Sequence, residues 1–336
     1  MLHTMKAMAI QHYGQKQPTL TQVAIPTPGP QDVLVAIHAA SINPIDFKTR
    51  DGGVRMLLKY EMPLILGSDF AGEVVQIGAQ VTRFQVGDAV YGRPRKSRIG
   101  TFAEYIAVNQ DDMALMPQNL NFEEAASLPL VGLTTYQAFH DILQVQPGNK
   151  ILIQAGSGGI GTFAIQLAKT MGLYVATTTS GANRALVTEL GADRVIDYHH
   201  EHFDDVLVNY DAVYDTLGGD NLLRSFKIVK PGGAVVSLSG LPDAKFAREY
   251  GLPMWKQLAF GLATLPIRKR EKQYQVTYHF LFMAPSGQQL ALIAQLVEAG
   301  KIRPVIDEVV LFSDFQSALD HSEAGHARGK IVVKIK

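Results

Sequence analysis

The stretch Gln154-Ala-Gly156-Ser157-Gly158-Gly159-Ile160-Gly161 decides how this chain folds. Gly156, Gly158 and Gly161 stand at the spacing G-x-G-x-x-G. An apolar run, Ile151-Leu152-Ile153, leads into it, and a helical run, Phe163 to Lys169, leads out. A lone match to that spacing is a weak signal; strand, glycines and helix in this order are a strong one. The first glycine permits a tight turn, the second lets a pyrophosphate approach the backbone, and the third lets helix and strand pack closely. The helix N-terminus then presents N–H groups and a partial positive charge to phosphate. A dinucleotide held at Gly156, Ser157, Gly158, Gly159 and Ile160 is the expectation.

Working outward, strands are expected over residues 150–154, 174–178, 194–197, 212–215 and 233–237, with helices over 162–171, 182–190 and 222–228. Such alternation builds a parallel sheet covered by helices on both faces. The first 115 or so residues read instead as short strands (32–38, 72–78, 88–91) broken by Gly and Pro, the pattern of a partly closed β-barrel. Helices are expected over 122–129 and 132–143. Beyond the α/β section, the basic run Arg268-Lys269-Arg270 is expected in an exposed loop or at a helix end. Leu290, Ile293, Leu296 and Val297 form a helical core stripe. A helix over 315–323 and a strand over 330–335 return the chain to the first domain. The expected organisation is a discontinuous β-rich domain, 1–125 and 266–336, around an α/β domain, 126–265.

A chain of 336 residues fits two domains. Formal net charge is +0, so neither nucleic acid nor a membrane is expected as partner. With no cysteine, disulfides, thiol nucleophiles and Cys-liganded metals are excluded. His199-His200-x-His202 lacks partnering carboxylates, and no metal is expected there. Met1 to Ile10 reads as no signal peptide, and no apolar run is long enough to span a bilayer. A cytoplasmic protein is expected.

Binders of NAD usually place an acid about 20 residues after the glycines, on the ribose 2′-hydroxyl. Here no Asp or Glu lies between Gly161 and Glu189. Ser180 and Arg184 can donate to a 2′-phosphate, and Tyr198 can cover the adenine ribose-phosphate. NADPH is therefore expected over NADH.

Several stretches together resemble one family: Ser41-Ile-Asn43-Pro-Ile-Asp46, Leu66-Gly-Ser-Asp69-Phe-Ala-Gly72, Val86-Gly-Asp-Ala-Val-Tyr-Gly92, Gly100-Thr-Phe-Ala-Glu-Tyr105, Gly132-Leu-Thr134-Thr-Tyr136, Asp215-Thr-Leu-Gly-Gly219 and Gly325-His-Ala-Arg-Gly-Lys330. Over nearly its whole length the chain resembles the zinc-independent quinone oxidoreductase branch of the medium-chain dehydrogenase/reductase superfamily. The resemblance implies an α/β fold, with a discontinuous GroES-like β-barrel domain and a Rossmann doubly wound parallel-sheet domain. Asn43 holds the position of a zinc cysteine in the zinc-dependent branch, and Gly67-Ser68-Asp69 stands where that branch has its zinc histidine.

By the same resemblance Asn43, Asp46 and Thr134 shape the substrate site. Asn43 would donate to a carbonyl oxygen gaining charge, Thr134 would bond substrate or carboxamide, and Asp46 would orient its neighbours. Read only as local structure, Asn43-Pro44 and Asp46 make a turn and a helix cap. Leu217, Ser239, Phe280, Phe282, Arg328 and Lys330 complete the expected cofactor set. The implied reaction is hydride transfer from NADPH to a quinone, enone or enal, without zinc and with a proton from water, in a homodimer. The alternatives are enoyl-thioester reduction and a non-catalytic NADPH-binding sensor.

Overall fold

A computed structural model describes residues 4–336; Met1 to His3, where the stretch read for a leader begins, lie outside the described residues. Two units form, Met1–Leu133 with Ala284–Lys336, and Thr134–Met283. The first unit opens with β1 (Thr4–Ile10), β2 (Thr19–Ala24), β3 (Asp32–Ile42), β4 (Leu64–Ile65), β5 (Phe70–Ile77), β6 (Ala89–Gly92), β7 (Tyr105–Asn109) and β8 (Met113–Leu115). Its helices are α1 (Pro44–Arg50), α2 (Phe122–Ala126) and the start of α3 (Pro129–Tyr136). Sequence reasoning missed β1 and β2.

The second unit contributes β9 (Lys150–Ile153), β10 (Tyr174–Thr179), β11 (Arg194–Asp197), β12 (Tyr210–Asp215), β13 (Val229–Ser237) and β14 (Thr277–Phe280). Between them run α4 (Gly159–Thr170), α5 (Arg184–Glu189), α6 (Phe203–Val206), α7 (Gly219–Ile228), α8 (Ala244–Glu249), α9 (Met254–Ala263) and α10 (Leu265–Tyr274). The chain then returns to the first unit through α11 (Gly287–Glu298), β15 (Ile306–Leu311), α12 (Phe315–Ala324) and β16 (Lys330–Lys334).

In the second unit all six strands are parallel, in the order β11-β10-β9-β12-β13-β14. This is the doubly wound order, with its reversal between β9 and its neighbour β12. Ile151, Leu152, Val175, Val213 and Val235 are fully buried. Apolar runs without alternation follow from helices covering both faces. The expected helix 162–171 begins earlier, at Gly159. The expected helix 132–143 begins at Pro129, ends as α-helix at Tyr136 and continues as a π-helical segment, Gln137–Ile142. Arg268-Lys269-Arg270 lies inside α10, not in a loop.

In the first unit β3 is the hub. It pairs antiparallel with β16, β5 and β7. Val33, Val35 and Ile37 pack with Phe70, Val74, Val90 and Ile106. Ala40 and Ile42 belong to a second core with Ile10, Leu66, Phe102, Phe315 and Ile331. A strand serving two cores has no polar face to show, which is why Asp32 to Ile42 reads as almost continuously apolar.

Candidate active site

The parallel sheet brings most of the expected cofactor residues to one edge. Gly156 to Gly158 follow β9, Ser180 follows β10, Tyr198 follows β11, Leu217 follows β12 and Ser239 follows β13. Phe280 ends β14, and Phe282 lies two residues on. These are the carboxyl ends of parallel strands, where such sheets bind ligands.

The glycines divide by role. A Cβ on Gly161 would be driven into the Ala155 carbonyl oxygen, and one on Gly156 into Thr177 Oγ1. Internal packing therefore demands both. A Cβ on Gly158 would meet only the Ala155 oxygen, at an ordinary 3.5 Å. Gly158 is the N-cap of α4, with φ −79° and no capping side chain. The protein's own packing leaves this helix N-terminus bare, a shape that a pyrophosphate would fit. Ala155 holds φ 52°, a left-handed conformation that a non-glycine residue adopts at a cost.

Around the expected 2′-phosphate position, Ser157 Oγ accepts from Thr179 Oγ1 at 2.9 Å and from Asn183 Nδ2 at 3.1 Å. Arg184 is exposed and donates from Nη1 to the Val195 oxygen at 3.3 Å. Tyr198 is exposed, its ring 4.4 Å from that of His199. One acid escaped the spacing argument. Thr179 and Asp197 are register partners, and a Cβ on Gly181 would lie 2.5 Å from Asp197 Oδ2.

The first unit holds a buried polar cluster. Asn43 precedes α1, whose Pro44 suits a first helical position because its ring fixes φ and no N–H is lost. The Asn43 N–H donates to Asp46 Oδ2 at 2.8 Å. Asn43 Nδ2 donates to the Ser41 oxygen and to Asp69 Oδ1, each at 3.1 Å. Asn43 Oδ1 accepts from Lys330 Nζ at 2.5 Å, and the same ammonium donates to the Ile42 oxygen at 3.1 Å. Asp46 Oδ1 accepts from Ser68 Oγ at 2.6 Å, and Asp69 Oδ1 from Ser41 Oγ at 2.7 Å. Burial pushes Asp46 up to about 7, helped by the like charge of Asp69. Burial also raises Asp69, opposed chiefly by Lys330, and lowers Lys330, opposed by both carboxylates.

These contacts correct one expectation. Both amide hydrogens of Asn43 are bonded inside the unit, so the residue is not the free donor the sequence suggested. Lys330 is buried in the first unit and fixes the Asn43 amide. Arg328 is exposed in the same unit. Thr134 is buried on α3. The sequence reading missed Ser41, Ser68 and Asp69 as partners of Asn43 and Asp46. It also missed Arg93, which the Phe70–Gly92 register sets just beyond the strand pair, opposite Asp69. Arg93 is buried, donates from Nη1 to the Pro94 oxygen at 2.5 Å, and leaves Nε without a partner. Among the described residues it forms no ion pair. No group of three or more metal-ligating side chains occurs among them, the His199–His202 run included.

Comparison with known proteins places the chain. Residues 29–118 match the family model described as alcohol dehydrogenase GroES-like domain, and residues 190–333 match one described as zinc-binding dehydrogenase. The mitochondrial NAD(P)H oxidoreductase RTN4IP1 of Danio rerio is 35% identical over 328 residues, covering 91% of this chain and 84% of the relative. The 2-methylene-furan-3-one reductase of Solanum lycopersicum is 35% identical over 343 residues, covering 98% and 79%. The solved structure of the quinone oxidoreductase from Coxiella burnetii superposes with a TM-score of 0.86 at 34% identity, covering 99% of this chain and all of that one. The expected fold holds: a GroES-like domain joined to a parallel-sheet Rossmann domain. The expected cytoplasmic location does not. The zebrafish relative is mitochondrial, and a further relative, from Arabidopsis thaliana, is a chloroplast envelope quinone oxidoreductase homologue, so the relatives point to organelles.

Proposed function

We propose, for a chain that belongs to the quinone oxidoreductase-like branch of the medium-chain dehydrogenase/reductase superfamily, that it transfers hydride from NADPH to a quinone, enone or enal without zinc. The observation that carries the reading is Gly158, a glycine at the carboxyl edge of the sheet that nothing in the protein's own packing requires. The named substrate of the tomato relative is a ketone conjugated to a methylene group, and the names of other relatives specify quinones.

Gly156 to Ile160 hold the pyrophosphate at the start of α4. Ser180 and Arg184 hold the 2′-phosphate, since one Arg184 nitrogen is tied to Val195 and the other donors face outward from α5. Tyr198, Leu217, Ser239, Phe280 and Phe282 line the rest of that edge. When bound, the nicotinamide supplies the hydride. Thr134 bonds the acceptor or the carboxamide. Asn43 acts with Lys330: the ammonium on Oδ1 polarises the amide and sets positive charge near an oxygen that becomes negative. Asp46 orients Asn43 through the backbone, and water supplies the final proton.

Zinc independence is supported by the donor set. The Lys330 ammonium, bonded to the Asn43 amide oxygen and facing the charges of Asp46 and Asp69, already brings positive charge, and a dication would be repelled by it. The zinc-binding family description matches residues 190–333, outside Asn43 and Gly67 to Asp69. In this reading Thr134–Met283 is the cofactor domain, the remainder is the catalytic domain, and a homodimer forms through the cofactor domains.

The test is NADPH oxidation, followed by absorbance, against a panel of quinones and α,β-unsaturated carbonyls, with NADH alongside. Turnover with NADPH preferred is the expected result. Tight NADPH binding with no turnover on any acceptor would overturn the reductase reading.

A further inference from the structure

In α9 the usual amphipathic arrangement is inverted. Met254, Trp255, Leu258 and Leu262 recur at helical spacing and are 59–69% exposed. Ala259 and Ala263 are exposed beside them, while the polar Lys256 and Gln257 are half-buried. The outward face of this helix is therefore mainly apolar, with the Lys256 ammonium 5.5 Å from the centre of the Trp255 ring. α10 follows almost at once. Leu265, Arg268, Lys269 and Lys272 share its exposed face at steps of three, one and three residues. Glu271, the only carboxylate in either helix, is half-buried and accepts from the Tyr278 N–H at 2.8 Å. An exposed apolar patch rimmed by cations marks an interaction surface.

We propose that α9 and α10 dock this protein on the surface of an anionic phospholipid bilayer. Trp and Leu beside a row of exposed cations, with a single half-buried carboxylate among them, is the composition of a helix pair lying in the lipid interface. Among the described residues no helix is long and apolar enough to cross a membrane, so the contact is peripheral. The zero net charge of the whole chain conceals this local asymmetry. A second copy of the chain fits the surface less well. Two-fold contact of these faces would bury Arg268, Lys269 and Lys272 with no exposed carboxylate from either helix to meet them. Lipid phosphates meet them directly. The inference does not depend on the reaction: it stands or falls on binding alone.

Trp255 is the only tryptophan in the sequence, so its emission reports on this face. The full-length protein is titrated with phosphatidylcholine vesicles and with vesicles containing roughly one-third phosphatidylglycerol. Expected are a shift of Trp255 emission to shorter wavelength and co-sedimentation with the anionic vesicles, both reversed by salt. Arg268→Gln with Lys269→Gln should weaken binding about 30-fold. Leu258→Asp with Leu262→Asp should weaken it more than about tenfold, leaving thermal unfolding and elution volume unchanged. Three results would overturn the proposal: no shift or sedimentation with anionic vesicles, full binding by both double variants, or conversion of a larger species to a smaller one by the leucine variant. The last would give the face to a second copy.

Discussion

Replacing Asp46 by asparagine isolates the electrostatics of the buried cluster. In the folded protein this carboxyl titrates at about 7 because it is buried; in the unfolded chain it returns to about its ordinary 3.8. Between those values the folded protein retains a proton that the unfolded chain has lost. The stability contributed by that difference is complete below about pH 4. It falls by about 1.4 kcal/mol per pH unit as pH rises, and is gone above about pH 7. From pH 5 to neutrality the loss is about 3 kcal/mol. An asparagine side chain has the same shape, still accepts from the Asn43 N–H, and has no proton to release. Urea unfolding of both proteins across about pH 5 to 8 should therefore show the Asp46→Asn variant gaining about 3 kcal/mol on wild type, with titrations of groups remote from the cluster cancelling in the difference. Curves that run parallel with pH would refute the reasoning: Lys330 would then hold Asp46 ionised throughout.

Gly158→Ala should change stability by less than about 1 kcal/mol, since its φ suits alanine, yet weaken NADPH binding in calorimetry at least about tenfold. Gly161→Ala, driven against the Ala155 oxygen, should cost about 3 kcal/mol and lower the Tm. Arg184→Ala should raise the KM for NADPH about tenfold and leave that for NADH unchanged, whereas Asp197→Asn should shift steady-state preference further toward NADPH. Arg93→Met should leave the Tm unchanged or raise it, because an unpaired buried guanidinium is removed; a large fall would mean that the charge is already well satisfied.

Most of the Rossmann unit was legible because its central strands β9, β10 and β12 are largely buried and bounded by turn residues, and because the glycine spacing has a steric origin; β14, at the edge and only partly buried, was missed. β2 was not legible either: its residues are half-exposed or exposed and present no apolar period. α9 was not read at all, and four of its apolar residues, Met254, Trp255, Leu258 and Leu262, face outward, the reverse of what apolar periodicity implies. Asn43 and Asp46 were found through a motif, but their chemistry was misread. One Asn43 hydrogen goes to Ser41 close by, but the partners of the other hydrogen and of the oxygen lie 26 and 287 positions away, and only strand register brings them in. Asp197 was hidden in the same way. Counting along the chain stops before it, while parallel pairing sets it opposite Thr179.

The pairing of β16 with β3 also imposes an order on synthesis. The carboxylates of Asp46 and Asp69 leave the ribosome long before the ammonium that compensates them, and β3, which can pair early with β5 and β7, waits through the whole second unit for β16 to cover Ala39 to Ile42. The Rossmann unit, continuous in sequence, can close while the chain is still growing. The first unit cannot be completed. Its nascent half lacks that strand, and the buried carboxylates their counter-charge, until Lys330 emerges. A stalled or truncated chain would therefore present a finished nucleotide domain attached to an unfinished, aggregation-prone barrel.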